Sequence, residues 1–103
     1  MINIRANRKD GKIVYLSIKG HANYEDEGKD IVCSAISAIS VGGLNALENP
    51  DEFVLKVEKG NVEVSVKGKA SQHDYEVLET ILTQLKTVQE SAPKFVEVIE
   101  KGN

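Results

Sequence analysis

Between Asp30 and Leu47 the residues Ile31, Val32, Cys33, Ala35, Ile36, Ala38, Ile39, Val41, Leu44 and Leu47 recur so densely that they cover most of a helical circumference. An amphipathic helix would show a single stripe instead. Such a helix is expected to be central and largely buried, and the rest of a 103-residue chain has to be arranged around it. Most of its remaining positions are small, namely Ser34, Ser37, Ser40, Gly42 and Gly43, which lets other backbones approach closely. Paired glycines cost helix stability, so they are expected to answer a packing need. Asp30 is a good residue to cap the first turn.

The flanking segments supply the cover. Ile2, Ile4 and Ala6 alternate with polar positions, and Val14, Leu16 and Ile18 do so again after Asp10-Gly11, a dipeptide favoured in tight hairpin turns. Strand parity puts Gly20 on the inner face with Ile18 and His21 on the outer one, unless the backbone turns at Gly20. After Asn49-Pro50-Asp51, a second hairpin is read from Phe53, Leu55 and Val57, a Lys59-Gly60-Asn61 turn, and Val62, Val64 and Val66. Ser71 and Asp74 resemble a capping box ahead of Leu78, Ile81, Leu82, Leu85 and Val88, which recur at amphipathic helical spacing. Pro93 ends that helix, and Phe95 to Ile99 is dense enough in β-branched and aromatic residues for a last strand. The expected fold is a two-layer α+β domain of ββαββαβ order. Its sheet is mainly antiparallel, with one buried central helix and one amphipathic helix. Residues 1–103 are expected to form a single domain.

A net charge of -3 and a pI near 5.4 argue against a protein that holds nucleic acid by neutralising phosphates. The longest apolar run is far too short to span a bilayer, and no signal segment is evident. One cysteine cannot form an intrachain disulfide, which fits a reducing cytoplasm. No glycine-rich phosphate loop with the required lysine is present, and the spacing of His21, Cys33 and the nearby carboxylates fits no zinc pattern. Neither a cofactor nor a metal is expected.

His21 and Cys33 carry the candidate chemistry. A lone cysteine in an apolar helix is by default a small core residue. With Asp30 as cap, however, Cys33 is the third helical residue, where the positive end of the helix dipole favours thiolate over thiol. An imidazole within reach of the sulfur can accept its proton and later return it to a leaving amine. Against this stands a strand-end histidine facing water, and the residues alone leave both readings open.

Gly20-His21-Ala22 at the end of the second strand, then Gly28-Lys29-Asp30-Ile31-Val32-Cys33 and a small-residue helix containing Ser37, resemble the ribosomal-processing cysteine protease family called Prp. The motif lies within Gly20 to about Ser40, while the succession of hairpins and helices resembles the whole chain. The resemblance implies a cytoplasmic homodimer that removes a short N-terminal extension, hydrophobic and aromatic-containing, from a large-subunit ribosomal protein. His21 and Cys33 are then the catalytic dyad. Ser34 stands where the family often has alanine, which leaves the dyad intact. Asp30 matches the motif's aspartate, as a helix cap or as a group that also orients His21. The acidic segment from Ala22 to Lys29 corresponds to a mobile lid, with Gly28 as its hinge. His73 and Asp74 fall in no motif and are read as structural. The rival reading is a non-catalytic dimeric ribosome-assembly module that binds the same partner and keeps Cys33 for packing.

Overall fold

The computed structural model describes residues 1–20 and 29–103. Its elements are β1 (Ile2–Lys9), β2 (Lys12–Lys19), α1 (Lys29–Leu44), β3 (Phe53–Glu58), β4 (Asn61–Val66), α2 (Gln72–Ser91) and β5 (Val96–Gly102), with a 3-10 turn at Pro50–Glu52. The five strands form one sheet in the order β3-β4-β2-β1-β5. All neighbours are antiparallel except β1 and β5, which run parallel, so the sheet is mixed but mainly antiparallel. The α+β fold of ββαββαβ order expected from the sequence is the observed one.

Local chemistry explains the elements. The first hairpin turns on Asp10 and Gly11, both at positive φ, which suits the twist of the strands they join. Ser71 caps α2, its side chain accepting from the Asp74 N–H. On the sheet face towards the helices, Ile2, Ile4, Leu16, Ile18, Val62, Val64 and Val96 are buried, and they meet Leu78, Ile81, Leu82 and Leu85 of α2. Arg8 of β1 ties the far end together by reaching Glu79 of α2 and Glu100 of β5. The paired Glu79 hydrogen bond, set against some cost of burial, keeps that guanidinium protonated with an affinity above the ordinary one.

Three details depart from the sequence pattern. The alternation Val14, Leu16, Ile18 breaks at Val14, because the register shifts between Asn7 and Arg8 and turns Ile13 into the core. One extra residue in a strand reverses which side chains face inward on either side of it. The helix α1 stops at Leu44, short of the expected Leu47, which is still buried in the turn beyond. Among the described residues α1 is covered by one sheet face and α2, and its buried positions are Ile36, Ser40 and Leu44, with partial cover of Val32, Cys33 and Ile39. Ile31 is 76% exposed and Val41 37% exposed in the single chain. The two glycines also differ: a Cβ on Gly43 would overlap the Ile81 side chain of α2, whereas one on Gly42 would meet nothing within 4 Å.

Candidate active site

The stripe Ile36, Ser40 and Leu44 is buried in the core that α1 shares with α2 and the sheet, which fixes the helix that carries Cys33. Cys33 is a free thiol, half-buried, in the second turn of the helix. Because α1 begins at Lys29, Asp30 lies inside its first turn instead of at the cap before it. A carboxylate in the first turn still complements the positive end of the helix.

Cys33 lines a groove of about 620 Å³ that runs between the N-terminal half of α1 and the sheet. Ser34, Ser37, Ser40 and Val41 continue its α1 wall, while Ile2, Ile18, Val57 and Val62 make an apolar floor. The β3–β4 turn, Glu58 to Asn61, forms the end of the groove. The register explains the floor, since Val57 pairs with Val62 and Val62 with Ile18, three side chains in one row across the sheet. The serine-rich side of α1 is what keeps the groove open: a leucine at Ser37 or Ser40 would fill it.

Gly20 also lines the groove, at the exit of β2. Its φ is +138°, and a Cβ there would lie 2.5 Å from the Met1 carbonyl oxygen. Both the dihedral and the contact require glycine, so the backbone does turn here, and simple strand parity does not carry on past Lys19. His21 and the segment 22–28, with Gly28 as the expected hinge, lie outside the described residues. Cys33 and Gly20, the strand end before His21, thus line one groove, while His21 itself lies outside the described residues.

A second cluster lies beyond the other end of α1. Asp74 is fully buried, and its two carboxylate oxygens accept the N–H groups of Glu48 at 2.8 Å and Asn49 at 2.9 Å. His73 Nδ1 is 2.9 Å from the same carboxylate and 3.6 Å from Glu48 Oε2. Burial alone would push Asp74 up, but hydrogen bonds from Glu48, His73 and Asn49 outweigh it and hold the carboxyl below its ordinary range. The hydrogen bond to Asp74 in turn raises His73, against a smaller cost of desolvation. Among the described residues Glu48, His73 and Asp74 are the group whose donor atoms, within 4.8 Å of one another, come nearest to a metal-ligand set. Both oxygens of Asp74 are already engaged by the backbone, however, and the cluster clamps the chain leaving α1 onto the start of α2. Its structural reading from sequence agrees with this geometry.

With the geometry in view, the relatives are informative. The family model described as "Cysteine protease Prp" matches residues 1–97. The ribosomal processing cysteine protease Prp of Mycoplasma genitalium is 34% identical over 89 residues, covering 85% of this chain and 89% of that one. The fold is similar to crystal structures of the essential ribosomal processing protease Prp from S. aureus. In complex with a covalently linked product peptide the TM-score is 0.82 at 23% identity, and with a substrate peptide it is 0.79 at 21%; each alignment covers 98% of this chain and 100% of the other. At such identities these last two are likenesses of fold. The family match over nearly the whole chain, together with the M. genitalium relative, establishes that this chain belongs to the Prp family of cysteine proteases.

Proposed function

We propose that this cysteine protease cuts a short N-terminal extension from a large-subunit ribosomal protein in the cytoplasm, using His21 and Cys33 as its dyad. The observation that carries the reading is the position of Cys33 on the wall of an open groove with an apolar floor. A half-buried thiol kept only for packing needs no such groove beside it. In the reaction His21 takes the Cys33 proton, and the sulfur attacks the scissile carbonyl to give a tetrahedral intermediate. Amides of the first turn of α1, which lack partners within the helix, are the nearest donors for its oxyanion. Collapse expels the amine with the proton returned by His21, and water then hydrolyses the thioester.

The apolar side chains of a hydrophobic, aromatic-containing extension would lie over Val57, Val62 and Ile18 under Val41, so burial drives binding and the helix end supplies the chemistry. Asp30 caps the start of α1 or also orients His21, the segment 22–29 closes over the bound peptide with Gly28 as its hinge, and two copies of the chain, each one domain, assemble as a homodimer. Mass spectrometry of the precursor incubated with the wild type and with Cys33→Ala tests the reading. It expects a single N-terminal truncation by the wild type alone. Processing by purified Cys33→Ala, or an intact precursor after incubation with the wild type, would overturn it.

A further inference from the structure

Among the described residues, the exposed large apolar side chains apart from Met1 fall in two places, Ile31 and Val41 on α1 and Val54, Leu55 and Val57 on β3. The second group is the unusual one, because β3 is an edge strand of the sheet. Val54 stands on one face, and Leu55 and Val57 on the other, at 54%, 39% and 51% exposure. The opposite edge, β5, has no exposed large apolar residue and carries Glu97, Glu100 and Lys101. An edge strand with free backbone groups and apolar side chains on both faces is a template on which another strand adds, unless charge or a bulge blocks it.

The charges on β3 identify that strand. They do not block the edge; Lys56 and Glu58 flank Val57 at positions that share the outer face. Let a second copy of β3 lie antiparallel alongside, with Val57 opposite its own equivalent on the two-fold axis. Lys56 of each chain then stands opposite Glu58 of the other, so one register makes two ion pairs. Moving the axis to Lys56 would set two ammonium groups against each other, and moving it to Leu55 would pair Lys56 with Val54 and leave no ion pair. Cross-strand pairs of opposite charge favour a register and like pairs oppose it.

We propose that the β3 edge is a self-pairing interface, joining two copies into a continuous sheet in the register centred on Val57. This names the interface of the homodimer proposed above and rests on that reading. It also bears on the active site, since Val57 and Glu58 line the Cys33 groove. The second chain forms the outer wall of that groove at the β3 side.

Sedimentation velocity on the wild type, Lys56→Glu, Glu58→Lys and the double exchange Lys56→Glu/Glu58→Lys tests this. Each single variant sets like charges opposite one another twice per dimer, and is expected to weaken dimerisation by about tenfold or more; the double exchange restores both ion pairs and recovers wild-type affinity to within about threefold. A wild type that stays monomeric at tens of micromolar overturns the homodimer along with its interface. A dimer that neither single variant weakens overturns the β3 edge alone and leaves another surface, such as the outer side of α1, to make the dimer. Failure of the double exchange to recover affinity overturns the register. Circular dichroism confirms that each variant is folded; if one is not, Val57→Lys, which places two ammonium groups on the axis, takes its place with the same expected loss.

Discussion

Gly42 and Gly43 are adjacent in the same helix, and alanine is expected to act in opposite directions at the two. At Gly42 the new Cβ meets nothing within 4 Å, so the substitution only removes the flexibility of glycine and stabilises the chain by about 0.5–1 kcal/mol. At Gly43 the same gain is set against overlap with Cγ1 and Cδ1 of Ile81, a side chain only 2% exposed and therefore without room to swing away. Inserting a methyl into a closed contact costs about 1–3 kcal/mol, which leaves Gly43→Ala a net loss of roughly 1 kcal/mol. For a domain of this size, 1 kcal/mol moves the thermal midpoint by about 4–8 °C. Differential scanning calorimetry should therefore show Gly42→Ala melting above the wild type and Gly43→Ala below it. Ile81→Val, which removes Cδ1, should cost less in the Gly43→Ala background than in the wild type, giving a favourable coupling in the double-mutant cycle. Equal stabilisation by both alanines, or strict additivity with Ile81→Val, would refute the close approach of α1 to α2 on which this rests.

Further outcomes are expected. Cys33→Ala should abolish cleavage while costing about 1 kcal/mol of stability, and His21→Ala should slow cleavage by roughly 10² to 10⁴, as read from peptide kinetics; an unchanged rate and pH profile in the latter removes His21 from the dyad. Asp74→Ala should cost about 2–3 kcal/mol, because the Glu48 and Asn49 N–H groups lose the charged acceptor that clamps them to α2. The Asp74 carboxyl is held below its ordinary value of 3.8, so its contribution is present above that pH and is lost as pH falls towards the lower folded value; the variant's stability should be flatter across that acid range in pH-dependent urea titrations. His73, raised from 6.5, contributes below that pH and loses its effect as pH rises through its folded value, so His73→Gln should flatten the neutral side of the same curve. Hydrogen exchange on Cys33→Ala should slow in residues 22–29 when substrate peptide is added, and equal protection with and without peptide would reject a closing lid.

What the sequence revealed and what it hid divide along the range of the interactions. Hairpin turns, the Ser71 cap and the period of α2 rest on neighbours a few residues apart, and they were legible. The inward turn of Ile13 was not, since a bulge depends on how β2 is paired with β1 and leaves no mark in the alternation itself. Cys33 stood out through its helix and motif, but the groove beside it did not, because its floor comes from Ile18, Val57 and Val62 on three different strands. Dense apolar residues on α1 were read as burial, although among the described residues Ile31 and Val41 stay exposed. The clamp at Asp74 was hidden for the same reason: its acceptors are aspartate oxygens on α2 and its donors are backbone amides 25 and 26 residues earlier.

The parallel pairing of β1 with β5 has a consequence for how the molecule is made. Ile2 is matched with Val96, so the first strand acquires its second neighbour only after almost the whole chain has been synthesised. Closing a loop of that length is slow, and contacts so distant in sequence retard folding as a whole. Before β5 docks, β1 is a temporary sheet edge with Ile2, Ile4 and Ala6 along it, open to pairing with the wrong chain. Ile2 is also part of the groove floor beside Cys33. The Ile2 end of the groove is therefore secured last, when the C-terminal strand is in place, and a nascent or C-terminally clipped chain carries Cys33 beside a floor that is not yet fixed.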